Sequence, residues 1–229
     1  MTNTSPDATA PRPRWWTLDL SDLTQAAVFA ALIAVLGLVG QFNLTAGVPI
    51  TLQTLGVMLA GAVLGPKKGT LAVVIFMVLA LAGLPILAGG RTGWVSLNSP
   101  TAGFFVGFLP AVIVIGVLTA AMMPKYRVAG GIVINLIGGM LLLYAFGVAG
   151  LMIRGTSFGA ALAVNGPFVL GDIAKAVVAA LVAVPVHRGR PGLIAPLRSA
   201  PRTEAGGSRA DGTKADGTKA GGSESGSDG

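Results

Sequence analysis

Apolar residues fall along this chain in six long runs, near 23–41, 48–65, 69–87, 101–123, 128–152 and 160–186. About 20 helical residues cross the roughly 30 Å hydrocarbon core of a bilayer, so each run is long enough, or nearly so, to span one. The second is at the short end and opens on Val48-Pro49, a helix start. The fifth has residues to spare and can tilt. The pattern predicts an all-α membrane protein with six transmembrane helices.

The two ends read differently from the middle. Residues 1–22 form a polar arm broken by Pro6, Pro11 and Pro13, with Trp15 and Trp16 suited to the headgroup level. A signal peptide is the competing reading. The first apolar run is about 19 residues, longer than a usual h-region, which favours a retained span. The membrane domain is expected over 23–188. Residues 189–229 read as a low-complexity cytoplasmic tail, with the near-repeat Ala210-Asp211-Gly212-Thr213-Lys214 and Ala215-Asp216-Gly217-Thr218-Lys219. Such a segment buries too little apolar surface to offset the entropy of ordering and is expected to be disordered.

Composition sharpens the membrane reading. The chain is 53% hydrophobic and 11% charged, and of its sixteen Lys/Arg and nine Asp/Glu only eight lie between positions 23 and 186. A soluble chain near 25% charged would place about forty there, so an ordinary soluble enzyme is excluded. Those charges also set the orientation. Arg12 and Arg14, Lys67 and Lys68, Lys125 and Arg127, and Arg188, Arg190 and Arg198 fall on one side. The opposite loops carry Arg91 alone and Arg154 alone. By the positive-inside rule both termini are cytoplasmic, as an even span count requires. The net charge of +7 is spread between apolar runs and is no nucleic-acid footprint.

Several chemistries are missing. There is no cysteine, hence no disulfide, thiolate site or catalytic thiol. Neither a P-loop nor H-E-x-x-H is present, and the single His187 cannot pair for zinc. No enzyme, metal or cofactor reading has a supporting constellation.

Asp172 is the one acid between Asp22 and Glu204, and Lys175 follows it at i+3 on the same helix face. An ionised group in hydrocarbon costs on the order of 3 kcal/mol, so the pair must face a partner or a wet cavity. It is either a neutralised packing pair or the lining of a ligand pocket. Thr51, Gln53 and Thr54 add uncharged donors and acceptors near the outer end of the second run. Gln53 invites a helix–helix hydrogen bond or ligand recognition, whereas Asn135 and Asn165 read as helix–helix bonds. The segment from Pro85 to Pro100, with Arg91, Trp94 and Asn98, has no helical pattern. It is a lid over an outward pocket or an interface loop anchored by Trp94. On the first run Ala26, Ala30 and Ala34 form one small-residue strip and Ala27 with Ala31 a second, for packing inside the bundle or docking outside it.

Taken together, Val48-Pro49-Ile50-Thr51-Leu52-Gln53-Thr54-Leu55-Gly56, Leu64-Gly65-Pro66-Lys67-Lys68-Gly69, Gly83-Leu84-Pro85, Pro100-Thr101 with Gly103 and Gly107-Phe108, and Pro167-Phe168 with Gly171-Asp172-xx-Lys175 closely resemble the BioY family. These are the biotin-specific substrate-binding (S) components of energy-coupling factor transporters. The resemblance covers about residues 23–188. It implies a multi-pass protein of the cytoplasmic membrane that captures biotin from outside. Asp172 and Lys175 would lie in the site, with Thr51, Gln53, Arg91 and Asn98 as further substrate-binding candidates. Arg91 is a candidate for the valerate carboxylate. It also implies docking of a transmembrane coupling (T) component on Ala26/Ala30 or Ala27/Ala31, with two separate ATP-binding subunits. The chain departs from the family in Ser99-Pro100-Thr101-Ala102-Gly103, where Gly-Pro-Thr-Gly-Gly is common, and in Phe104 or Phe105, where a tyrosine is usual. The alternatives are an S component for another vitamin and a structural membrane protein in which Asp172–Lys175 only packs.

Overall fold

The computed structural model describes residues 19–39, 42–43, 49–195 and 197. Most of the N-terminal arm and the low-complexity part of the tail lie outside these residues. The described regular structure is helical apart from a two-residue antiparallel pairing, β1 (Phe42–Asn43) with β2 (Pro49–Ile50), and a single bridge between Leu87 and Arg91. The helices are α1 (Leu20–Leu38), α2 (Gln53–Leu59), α3 (Gly65–Leu81), α4 (Gly93–Leu97), α5 (Ala102–Met122), α6 (Val128–Leu136), α7 (Leu143–Ile153) and α8 (Phe158–Gly189). Two π-helical segments, Ala60–Leu64 and Ile137–Leu142, join α2 to α3 and α6 to α7 without a gap.

Among the described residues, five stretches are long and apolar enough to cross a membrane, where the hydrophobic runs predict six. The difference lies in Gln53–Leu81, which is helical throughout but not straight. A straight helix would hold residues 60 and 69 about 13 Å apart. Instead, a methyl at Gly69 would stand 2.5 Å from the Ala60 carbonyl oxygen. The chain folds back at Gly65, whose φ of +76° is open to glycine at little strain. Pro66 then starts the returning arm. The second helix begins at Gln53 rather than near 48, because Pro49 and Ile50 pair with Asn43 and Phe42. The third ends at Leu81 rather than 87, since Gly83 takes a φ of +101° and Pro85 follows.

The outside of the bundle is greasy. Ile153 is 87% exposed, Leu170 79% and Leu141 67%. In water this would be a severe liability; in hydrocarbon it is the required surface. The inside holds small residues and a few large ones, with Ile33, Met58, Phe76 and Ile115 fully buried. Glycines let the helices close on these. A methyl at Gly56 would press on Ile33, and one at Gly139 would overlap Met58. Gly61 and Gly138, one inside each π segment, both lie against Ile115.

One end of the bundle is fixed by several contacts. Gly116 of α5 packs on Gly65 and Pro66, and Ile194 covers Gly65. The Leu197 amide donates to the Ala120 carbonyl at 3.4 Å. Lys68 Nζ lies 3.6 Å from Asp22 Oδ1 and donates to Gln25 Oε1 at 3.0 Å, tying the start of α1 to the same end.

Candidate functional site

At the opposite end the bundle encloses a cavity of about 600 Å³, counting its mouth. α2 contributes Gln53 and Thr54, with Thr51 just before it; α5 contributes Phe104, Phe105 and Phe108. Leu143 and Tyr144 come from α7, and Phe168, Asp172 and Lys175 from α8. Leu87, Ala88, Arg91 and Ser96 close it from the connection between α3 and α5.

Asp172 and Lys175 lie on the inward face of α8. The buried positions run 172, 175, 176, 179, 180 and 183, the spacing of one helical stripe. Lys175 Nζ donates to Asp172 Oδ1 at 2.8 Å and to Thr54 Oγ1 at 3.0 Å. Thr54 donates in turn to Asp172 Oδ1 at 3.4 Å, and the Tyr144 hydroxyl donates to Oδ2 at 2.7 Å. Both charged groups are almost fully buried. The four side chains form a charge-assisted network on the cavity wall, with polar groups on one side and phenylalanine rings on the other. Phe108 stands 6.4 Å from both Phe76 and Phe105, ring centre to ring centre, which stiffens the apolar wall.

Gln53 donates to the Ile86 carbonyl at 3.3 Å, and its amide lies where a methyl at Gly37 would stand, 2.6 Å from Nε2. It therefore fastens α2 to α1 and to the segment over the mouth. That segment turns tightly. Leu87 and Arg91 exchange backbone bonds of 3.0 and 3.3 Å around Gly89 and Gly90, both at positive φ. Arg91 is brought to the cavity with its Nε donating to the Ala88 carbonyl at 2.8 Å. Burial lowers the Arg91 pKa from its ordinary value, the mark of a cation partly stripped of water.

The stretch from Pro85 to Pro100, which carries no helical signal in sequence, holds the short helix α4. Thr92 caps its start, accepting from the Val95 amide at 3.4 Å. Ser96, Ser99 and Thr101 join in a hydroxyl cluster, with Oγ···Oγ1 distances to Thr101 of 2.9 and 2.7 Å. Asn98 stays outside the cavity lining; its Nδ2 donates to the Trp94 carbonyl at 2.9 Å. Arg154, from the α7–α8 turn, donates to the carbonyls of Leu97 and Asn98 and holds the end of α4.

Thus Thr51, Gln53, Arg91, Asp172 and Lys175 meet at one cavity, and Asn98 does not line it. Sequence reasoning left out Tyr144 and the aromatic wall. Tyr144 had a signal: a phenol inside an apolar run must find a partner. The phenylalanines had none, since lipid-facing and pocket-facing rings read alike. The alanine strips separate cleanly. Ala26 and Ala30 are buried in the bundle, while Ala27 and Ala31 are exposed. Asn165 donates back to its own helix at Ala161, and Asn135 makes no helix–helix bond among the described residues.

Apolar helices around an enclosed cavity with a buried acid–base pair define a multi-pass membrane protein built to hold a small molecule. The chain belongs to the BioY family, whose model matches residues 8–192. It is 43% identical over 184 residues to the biotin transporter BioY of Rhodobacter capsulatus, covering 76% of this chain and 96% of that protein. To the biotin transporter BioY of Rhizobium etli it is 42% identical over 177 residues, covering 74% and 95%. A crystal structure of the S-component for biotin from an ECF-type ABC transporter matches with a TM-score of 0.69 and 32% identity, over 74% of this chain and 90% of that one. The family places this chain among transport components, not enzymes.

Proposed function

We infer that this protein takes up biotin, as the substrate-binding S component of an energy-coupling factor transporter. The observation that carries the reading is the Asp172–Lys175 pair turned into a cavity walled by polar groups and phenylalanine rings, in a chain related to biotin transporters along most of its length.

The lining suits that guest. Asp172 and Lys175 neutralise each other, which leaves Arg91 as the uncompensated charge on the lining. A guest with one carboxylate restores neutrality, and biotin is such an anion. Its ureido N–H pair can donate to Asp172, and its ureido oxygen can accept from Lys175 or Tyr144. The phenylalanine wall meets the apolar bicycle, and Arg91 at the mouth meets the valerate. α4 then acts as a lid latched by Arg154.

Counting the two arms of Gln53–Leu81 separately gives six crossings of the cytoplasmic membrane, with both termini cytoplasmic. Two things support this. Lys67, Lys68, Lys125, Arg127, Arg188 and Arg190 follow the same side of the loops. The start of α1 and the segment after α8 also meet at one end of the bundle. The mouth then faces outside. The T component docks on the exposed pair Ala27 and Ala31, while Ala26 and Ala30 are occupied in internal packing. Two ATP-binding subunits, on separate chains, supply the energy.

The test is equilibrium binding by the purified full-length protein to biotin, thiamine and riboflavin. We expect one biotin per chain and no measurable binding of the other two. A preference for another vitamin would replace biotin as the substrate; binding of none would sink the reading.

A further inference from the structure

A second cavity, of about 420 Å³ counting its mouth, lies at the end of the bundle away from the pocket. Three pieces of chain build it. Met123 and Pro124 come from the turn after α5, His187 from the last turn of α8, and Arg190, Leu193 and Ile194 from the segment that follows. That segment bends back on itself: the Leu193 amide donates to the Arg190 carbonyl at 3.3 Å, with Gly192 at a φ of +90°. Ile194, 5% exposed, then closes on Gly65. His187 Nε2 lies 2.8 Å from the Ala62 carbonyl oxygen, which only accepts, so this nitrogen carries the proton and the ring is pinned. Its Nδ1 has no hydrogen-bond partner among the described residues.

The cavity sits at the level where the spans end. α5 stops at Met122, and Leu181 and Val182, within two turns of His187, are still open to lipid. This is the depth at which hydrocarbon gives way to headgroups. The surroundings are basic without compensation. Arg190 lines the cavity, Lys125 and Arg127 follow Pro124, and Arg188 follows His187; none has an ion-pair partner among the described residues. The acids among the described residues lie elsewhere: Asp19 and Asp22 at the start of α1, the latter facing Lys68, and Asp172 in the pocket. The C-terminal end of α8 carries about half a negative charge, which offsets less than one of these cations. From Arg198 onward the tail brings five Lys/Arg and five Asp/Glu, hence no net anion.

We propose that this cavity binds the headgroup of an anionic phospholipid. Arg190 and His187 take the phosphate oxygens, and Lys125, Arg127 and Arg188 hold the anion's field around the mouth. Met123 and Leu193 meet the glycerol backbone and the first methylenes, an apolar contact for which a free phosphate has no use. The bound lipid ties the α5–α6 turn to the end of α8. Assigning it to the cytoplasmic leaflet rests on the uptake reading; the site itself does not.

The test is native mass spectrometry of the purified full-length protein, released from mixed micelles holding equal amounts of dioleoyl phosphatidylglycerol and dioleoyl phosphatidylcholine. We expect one phosphatidylglycerol retained per chain, at least about ten-fold in preference to phosphatidylcholine. Arg190→Gln should cut that retention about ten-fold. Arg188→Gln removes the same charge beside the cavity but not from its lining, and should change retention by less than about two-fold. Both variants should bind biotin within about two-fold of the parent. Equal retention of the two lipids, retention of neither, or equal losses from Arg188→Gln and Arg190→Gln overturns the proposal. Displacement of the lipid by millimolar glycerol 3-phosphate would make the ligand a soluble phosphate ester and overturn it too. A protein that binds no biotin yet retains phosphatidylglycerol as described would sink the uptake reading and keep this site.

Discussion

The two halves of this bundle treat buried polar groups in opposite ways. Around the cavity, Asp172, Lys175, Thr54 and Tyr144 are knitted into one network in which every charge has a partner. Toward the other end, Asn135 and Thr119 are buried just as deeply and have none among the described residues. Burial is therefore not what distinguishes the site. What distinguishes it is pre-organisation: the first half holds its groups in fixed directions around open space, as binding requires.

The sharpest way to break this comparison is at Asp172. Asp172→Asn should weaken biotin binding about 100-fold, the scale of a lost charge-assisted hydrogen bond, by equilibrium binding. It also strands a buried ammonium, which destabilises by about 3–5 kcal/mol. The double variant Asp172→Asn/Lys175→Met should regain the melting temperature but not the affinity. Recovered affinity would make the pair mere packing.

The exposed alanine strip gives a smaller effect. Ala31→Leu should lower recovery of the T component in pull-downs about ten-fold with biotin binding intact. Ala30→Leu, one position away but buried, should instead overpack the core and cost about 1–3 kcal/mol of stability. Equal behaviour of the two would erase the inward–outward distinction on α1.

Smaller again is the latch. Arg154→Ala removes two bonds to the end of α4, so biotin dissociation measured by stopped flow should quicken about five-fold with little change in association. Unchanged dissociation would free α4 from any gating role.

The mildest change falls in the unpaired half. Thr119→Val with Asn135→Leu should leave the melting temperature the same or raise it by about 2–4 °C, since removing unpartnered groups is not destabilising. A large drop would mean that these groups are paired in the working protein as firmly as those of the pocket.

Asp172 and Lys175 were legible in the sequence because charge is so rare between residues 23 and 186 that each one present demands a reason. The apolar runs were legible because hydropathy records immersion in lipid. It also marked a break between residues 65 and 69, where the chain folds back although helical bonding runs on through the turn, but it does not record which way a face points. Nor could it tell Ala26/Ala30 from Ala27/Ala31, two strips with the same spacing, of which only the rotation of α1 decides which points inward. Asn98 looked like a ligand group by type alone. The capping geometry of α4 turns its amide back to Trp94. The aromatic wall was invisible for the reason given by chemistry itself: a phenylalanine facing a vitamin and one facing an acyl chain obey the same rule.

Trp94 stands on α4, 61% exposed, a few residues from the Leu97 and Asn98 carbonyls that Arg154 grips. Indole emission shifts in colour with the polarity around it, so under the lid reading proposed above a tilt of α4 would change the colour of this ring. Opening of the proposed lid is then readable in real time once Trp15 and Trp16 are replaced by phenylalanine, with no dye attached.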